Sequence, residues 1–113
     1  MTVPEIEADD AEELATSDTD ALLLDVREVD EWTAGHAPGA QWVPMGEIPA
    51  RLTELPRNRR ILAICRTGAR SGRVAEYLLA QGYDAMNVAG GMKAWEALGL
   101  AVETDDGSPG HVA

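Results

Sequence analysis

The sequence predicts an α/β fold with a mainly parallel central sheet of about five strands and helices on both faces. Two short apolar runs, Leu22–Leu24 and Ile61–Ile64, have the length and composition of strands that are buried on both faces of a sheet. Between about Ser71 and Gln81, apolar residues recur at a spacing of three and four, which is typical of one buried helix face. Strands that alternate with helices in this way favour parallel pairing.

The remaining elements follow from shorter patterns and from turn residues. Further strands are predicted at Val3–Ile6, Gln41–Val43 and Asp84–Val88. Further helices are predicted at Asp9–Ala15, Val29–Ala34, Glu47–Leu55 and Met92–Leu98. The last segment, Thr104–Ala113, is rich in Asp, Gly, Ser and Pro, which predicts a disordered tail beyond a folded domain of residues 1–103.

Composition limits the class of protein. The chain has 113 residues, of which 45% are hydrophobic, so it forms one domain with its own core. No segment approaches the ~20 apolar residues of a membrane span, and the acidic segment Met1–Thr16 lacks the pattern of a secretory signal. These features predict a cytoplasmic protein with no membrane partner. Because Cys65 is the only cysteine, an internal disulfide and a multi-cysteine zinc site are excluded, and no metal or other cofactor is expected.

Charge is distributed unevenly along the chain. The formal net charge of -11 argues against nucleic acid as a partner. Twelve of the twenty acidic residues lie between Glu5 and Glu31. Six of the nine basic residues lie within seventeen positions that contain no acid, and we call this segment the arginine run: Arg57, Arg59, Arg60, Arg66, Arg70 and Arg73. Such a run is usually a solvated surface, but this one surrounds the only cysteine.

Cys65 occupies a position that favours a reactive thiolate. It follows a predicted buried strand and precedes a predicted helix, whose N-terminus presents unpaired N–H groups and a partial positive charge. Gly68 permits the positive φ of a tight loop, and the Thr67 hydroxyl is a candidate hydrogen-bond donor to the sulfur. These features, together with nearby arginines, lower the pKa of a thiol. The alternative is a buried structural cysteine, which the polar loop disfavours.

Four stretches of the sequence, in this order, resemble the rhodanese-like domain family over about Val3 to Glu103. They are Leu24-Asp25-Val26-Arg27, Gly35-His36-Ala37-Pro38-Gly39-Ala40, Ile64-Cys65-Arg66-Thr67-Gly68-Ala69-Arg70-Ser71, and Gly90-Gly91 followed by Trp95. The resemblance implies a single rhodanese-like domain of the thiosulfate sulfurtransferase type. It also implies an enzyme that moves a sulfane sulfur from a donor such as thiosulfate to a thiol or cyanide acceptor, with a protein thiol as a further possible acceptor.

The resemblance also implies roles for individual residues. Cys65 is the nucleophile that carries the persulfide. The substrate-binding loop supplies main-chain amides that surround the sulfur, and it consists of Arg66, Thr67, Gly68, Ala69 and Arg70. The side chains of Arg66 and Arg70 are expected to steer an anionic donor. Asp25 and Arg27 match family positions near the site, and an ion pair that fixes the turn after the strand is the favoured interpretation for them.

Two alternative functions remain open at this point. Cysteine-dependent phosphatases and arsenate reductases, by resemblance, place five residues between the cysteine and the loop arginine, whereas this chain places four between Cys65 and Arg70. A shorter loop suits a single transferred sulfur better than a tetrahedral oxyanion. The second alternative is a protein-to-protein sulfur relay or a regulatory rhodanese-like module. Modules without activity commonly lack the cysteine, which is present here.

Overall fold

The five strands of the structure form one parallel sheet. The computed structural model describes residues 2–17 and 21–113. The strands are β1 (Glu5–Ile6), β2 (Ala21–Asp25), β3 (Gln41–Trp42), β4 (Arg60–Ile64) and β5 (Ala85–Val88). Their order across the sheet is β1-β5-β4-β2-β3, and all the neighbouring pairs are parallel. The predicted α/β fold class with a parallel sheet is therefore confirmed.

Helices cover both faces of this sheet, as predicted. They are α1 (Ala8–Ser17), α2 (Val29–Ala34), α3 (Ala69–Ala80) and α4 (Gly91–Ala97). Helices α1 and α4 contribute buried residues to the hydrophobic cluster on one face, while α3 contributes to the cluster on the other. None of the helices in the described ranges is long and apolar enough to cross a membrane.

Strand β4 explains why the central strands have continuous apolar sequences. Ile61 and Ala63 pack into the cluster beneath α3, whereas Leu62 and Ile64 pack into the cluster beneath α1 and α4. Because successive side chains of a strand point to opposite faces, a strand that is covered on both sides needs an apolar residue at every position. Each large aliphatic side chain buried in this way stabilises the fold by roughly 1.5–3 kcal/mol.

The predicted helix at Glu47–Leu55 is wrong. The chain forms two short 3-10 helices there, Met45–Glu47 and Leu52–Glu54, with turns between them. Pro49 has no N–H group to donate to the Met45 carbonyl, which accepts a 3-10 bond from Ile48 and no α-helical bond. The segment still buries Ile48 against the sheet, with 2% of its surface exposed. Apolar spacing therefore identified a covering segment but not its backbone conformation.

The structure also differs from the predicted disordered tail. After a turn at Thr104–Ser108, the main chain of His111 bonds to Ala34, and Val112 packs against the α1 and α4 side of the sheet. Gly35 makes this approach possible, since a Cβ atom there would lie 2.5 Å from the His111 carbonyl oxygen. Composition did not reveal these contacts because they are made mostly by main-chain atoms.

Candidate active site

Cys65 lies directly after the central strand β4, at the carboxyl end of the parallel sheet. In such sheets, ligands bind beyond the carboxyl ends of the strands. The neighbouring strand β2 ends in register, because Asp25 pairs with Ile64. The sequence-predicted residues of the two motifs, Asp25–Arg27 and Cys65–Arg70, are therefore at the same edge of the sheet.

The main chain of the cysteine loop is held from two sides. Gly68 has a φ of 107°, a left-handed conformation that L side chains rarely adopt. From the other side, the N-terminus of α4 donates two hydrogen bonds, from Met92 N to the Cys65 carbonyl at 2.8 Å and from Lys93 N to the Arg66 carbonyl at 2.9 Å. Gly91 permits this approach, because a Cβ atom there would overlap the Cys65 carbonyl oxygen.

The sulfur of Cys65 is buried but is surrounded by hydrogen-bond donors. The residue is only 1% exposed, yet its Sγ accepts hydrogen bonds from Gly68 N at 3.0 Å and from Ser71 Oγ at 3.2 Å. Burial raises the pKa of the Cys65 thiol. Hydrogen bonds from the Ser71 hydroxyl and from main-chain amides lower this pKa by more than burial raises it, so the pKa lies below its ordinary value. The site therefore favours a thiolate.

Sequence reasoning did not identify Ser71 as a contact of the sulfur. It assigned the hydroxyl donor to Thr67, whose side chain makes no hydrogen bond within the described ranges. Ser71 lies in the first turn of α3, where side chains point back toward the helix N-terminus and so toward the sulfur. The position of a serine three residues after the loop glycine was the available signal.

Ser71 belongs to a hydrogen-bond network that extends across β5 to β1. Its Oγ lies 2.6 Å from Asn87 Oδ1. Asn87 Nδ2 donates to the Gly68 carbonyl at 3.0 Å and to Glu5 Oε2 at 3.2 Å. Ser71 and Asn87 are 0% and 5% exposed, so both polar side chains are satisfied inside the protein and not by bulk water. The network links the sulfur to a carboxylate on the edge strand.

Arg70 does not have a free guanidinium group. It forms a bidentate ion pair with Glu31 of α2, with N–O distances of 2.7 Å and 2.8 Å. Hydrogen bonds from Arg70 lower the pKa of Glu31 to about 2, and the same pair raises the pKa of Arg70. Glu31 was missed because only the folded chain brings α2 beside the loop.

Arg66 contrasts with Arg70 because no Asp or Glu side chain pairs with it in residues 2–17 and 21–113. Its side chain is exposed, and its Nε donates to the main-chain oxygen of Ala113 at 2.9 Å. That bond uses only Nε, so the two Nη groups of the exposed guanidinium remain free to donate. Arg66 is therefore the cation beside Cys65 that retains capacity to bind an anion.

Asp25 and Arg27 form a fully buried ion pair. Arg27 Nη2 lies 2.8 Å from Asp25 Oδ2, and both side chains are 0% exposed. The same Nη2 donates to the Gly35 carbonyl at 2.8 Å, and the Arg27 amide donates to Asp25 Oδ1 at 3.0 Å. The pair thus joins the end of β2 to the residue that follows α2. Among the described residues, neither side chain hydrogen-bonds to Cys65.

The chain belongs to the rhodanese-like domain family, whose sequence pattern matches residues 7–98. A sulfurtransferase of Allochromatium vinosum is 37% identical over 106 residues, covering 93% of this chain and 99% of the relative. The crystal structure of a rhodanese-like domain protein from Staphylococcus aureus is similar, with a TM-score of 0.77, 36% identity and coverage of 82% of this chain and 91% of that chain. The resemblance found in the sequence is confirmed.

A larger protein contains a similar domain. The crystal structure of a thiosulfate sulfurtransferase from Pseudomonas aeruginosa has a TM-score of 0.82 and 25% identity, covering 98% of this chain and 22% of that chain. The names of these relatives support sulfur transfer of the rhodanese kind, by a transferase that has sulfur donors and acceptors as partners.

Proposed function

We propose that this protein is a cytoplasmic sulfurtransferase that moves a sulfane sulfur from a donor such as thiosulfate to a thiol or cyanide acceptor through a persulfide on Cys65. The observation that carries this proposal is the sulfur environment. The Cys65 Sγ accepts hydrogen bonds from Gly68 N and Ser71 Oγ, and its pKa is lowered despite burial. A thiolate, not a thiol, is the nucleophile in this chemistry.

The reaction has two balanced steps. In the first, the Cys65 thiolate attacks the outer sulfur of thiosulfate, the sulfur–sulfur bond of the donor breaks, and sulfite leaves with the bonding electron pair. In the second, cyanide or a thiolate attacks the terminal sulfur of the persulfide, and the Cys65 thiolate leaves. Because Cys65 is the only cysteine, no second thiol of this chain discharges the persulfide as an internal disulfide.

The residues of the loop contribute to donor binding in different ways. The anionic sulfur is stabilised by main-chain amides between Arg66 and Arg70, including those of Thr67, Gly68 and Ala69. Several amide donors stabilise a persulfide better than a single counter-ion does, because the charge of a persulfide is diffuse. Arg66 binds the oxyanion end of the donor, since its guanidinium is exposed and pairs with no Asp or Glu side chain of the described residues. The side chain of Arg70 is occupied by Glu31, so its contribution is to hold the loop in place. Asp25 and Arg27 support the site by fixing the turn after β2.

Mass spectrometry of the intact protein tests the proposal. After exposure to thiosulfate, mercaptopyruvate or glutathione persulfide, the wild-type protein should gain the mass of one sulfur atom, and cyanide should remove it. Cys65→Ser should gain nothing, while circular dichroism shows that it is folded. Ser108→Ala, an exposed change in the turn at Thr104–Ser108, is the control and should load like wild type. Loading of Cys65→Ser, or a wild-type thiol that resists all three donors and alkylating reagents, would contradict the proposal.

The acceptor decides between turnover and relay. Rapid turnover with cyanide or a small thiol would establish a free-standing enzyme. Discharge only to a protein thiol would establish the relay that the sequence left open. The phosphatase alternative receives no support from Arg70, because its guanidinium is already paired with Glu31 and is not free to bind a phosphoryl group.

A further inference from the structure

The hydrogen-bond network behind Cys65 contains one hydrogen that two acceptors compete for. Ser71 Oγ is within hydrogen-bond distance of both Cys65 Sγ, at 3.2 Å, and Asn87 Oδ1, at 2.6 Å. A serine hydroxyl has one hydrogen to donate and two lone pairs that accept. Ser71 therefore donates to Asn87 or to the sulfur, but not to both at once.

The orientation of Asn87 is fixed by chemistry. One end of its side-chain amide faces two acceptors, the Gly68 carbonyl and the Glu5 carboxylate, at 3.0 Å and 3.2 Å. Only the NH2 group donates, so it must be the end that faces them, and the carbonyl oxygen must face Ser71. Asn87 therefore presents an acceptor to the Ser71 hydroxyl at all times.

The two protonation states of Cys65 make different demands on Ser71. A protonated thiol donates its own hydrogen to Ser71 Oγ, which leaves the hydroxyl hydrogen free for Asn87. A thiolate has no hydrogen, so its contact with Ser71 is favourable only when the hydroxyl turns toward the sulfur and leaves Asn87 Oδ1 without a donor. Each state satisfies a different acceptor.

We propose that Asn87 is a positioning residue that competes with Cys65 for the single hydroxyl hydrogen of Ser71 and thereby regulates how strongly the thiolate is held. This inference rests on the proposed function. The sulfur Sγ is anionic before it attacks the donor and again when the acceptor removes the outer sulfur. In the persulfide the charge lies on the outer sulfur, and the hydrogen returns to Asn87. The exchange thus follows the charge on Sγ through the reaction.

Other charged groups around Cys65 stay the same when Asn87 is changed. They are Arg66 in the loop, Arg70 of α3 with its partner Glu31 of α2, Glu5 of β1, and the closed Asp25–Arg27 pair after β2. Because these groups are common to the variants at Asn87 and Ser71, a difference in the pKa of Cys65 between those variants reports the hydroxyl hydrogen.

The test measures the pKa of Cys65 from the pH dependence of its alkylation rate, which requires no sulfur transfer. Asn87→Leu removes the competing acceptor, so the pKa should fall by about one unit. Asn87→Asp strengthens the competing acceptor and adds negative charge, so the pKa should rise. Ser71→Ala removes the donor and should raise the pKa by about one unit. A merely structural loosening of the loop would move all the variants in one direction.

The double variant decides whether Asn87 acts through Ser71. In a Ser71→Ala background, Asn87→Leu should leave the pKa of Cys65 where Ser71→Ala alone puts it. Glu5→Gln, which keeps both the Asn87 acceptor and the Ser71 donor, is the control and should shift the pKa by much less than Asn87→Leu. A rise in pKa with Asn87→Leu, or a shift that persists without the Ser71 hydroxyl, would overturn the proposal. Because alkylation and sulfur loading are separate measurements, this failure is distinguishable from failure of the sulfurtransferase assignment.

Discussion

The two ends of strand β4 carry arginines from the same run of sequence, but they have different surroundings. At the carboxyl end, Arg70 pairs with the Glu31 side chain, whereas Arg66 is exposed beside Cys65 and donates only to the main chain of Ala113. At the amino end, Arg57 donates to the Gln81 carbonyl and lies 4.2 Å from the centre of the Tyr83 ring, while Arg59 donates to the Ala21 carbonyl at 2.8 Å. Arg57 thus ties its loop to the end of α3, and Arg59 ties the same loop to the start of β2.

Strand β4 keeps these two groups electrostatically separate. Its five residues span about 16 Å at a rise of ~3.3 Å per residue. The Debye length is about 8–10 Å at physiological salt, so exposed charges at one end are largely screened from the other. A dense run of one residue type therefore indicates less about a site than the position of each residue relative to the strand.

The largest expected effect concerns the backbone at the carboxyl end of β4. Gly91→Ala should destabilise the fold by about 3–5 kcal/mol, because Gly91 has a φ of 56° and the new Cβ would overlap main-chain atoms of the cysteine loop. Gly99→Ala is the matched control. Gly99 has a φ of 74°, but nothing lies within 4 Å of the new Cβ, so only the backbone strain of the positive φ, about 1 kcal/mol, should be lost from the stability. Urea denaturation measures both, and equal losses would contradict this account of the loop.

This contrast indicates how much of the site the sequence could predict. Cys65, the loop glycine and the adjacent arginines were found because strand, loop and helix are contiguous in the chain. Ser71 lies one helical turn further, and although it closed one of the matching stretches, no contact with the sulfur was predicted for it. Asn87 and Glu5 were not found, because their contacts with the site exist only after β5 and β1 are placed in the sheet. The fold was easier to predict, since its strands and their covering helices follow from apolar periodicity.

The next difference concerns anion binding. Arg66→Ala should raise the KM for thiosulfate roughly tenfold, or about 1.4 kcal/mol, with a smaller effect on kcat, because the charge acts mainly on the donor. Arg57→Ala removes the same charge at the other end of β4 and should leave KM unchanged within about twofold, provided that the variant is folded. A fall in kcat alone for Arg66→Ala, or equal effects of the two substitutions, would reject the role of Arg66 in donor binding.

The smallest difference concerns ion pairs and pH. The Glu31–Arg70 pair lowers the pKa of Glu31 to about 2, from an ordinary value of 4.5. Because the pKa of Glu31 is lowered in the folded protein, its ionised carboxylate adds to the free energy of unfolding. This contribution is fully present above pH 4.5 and is lost as the pH falls toward 2. Glu31→Gln should therefore reduce stability at neutral pH by about 1 kcal/mol, after allowance for solvent screening, and should flatten the decline in acid.

The matched control for this pair is at the amino end of β4. Arg60 and Asp84 are 3.4 Å apart, with side chains 48% and 60% exposed, so solvent weakens their attraction. Asp84→Asn should leave the urea midpoint of the protein nearly unchanged at neutral pH and in acid. Should Asp84→Asn destabilise the protein as much as Glu31→Gln does, the pairing of Arg70 would have no special role, and the difference between the two ends of β4 would lie in the backbone and in Arg66 alone.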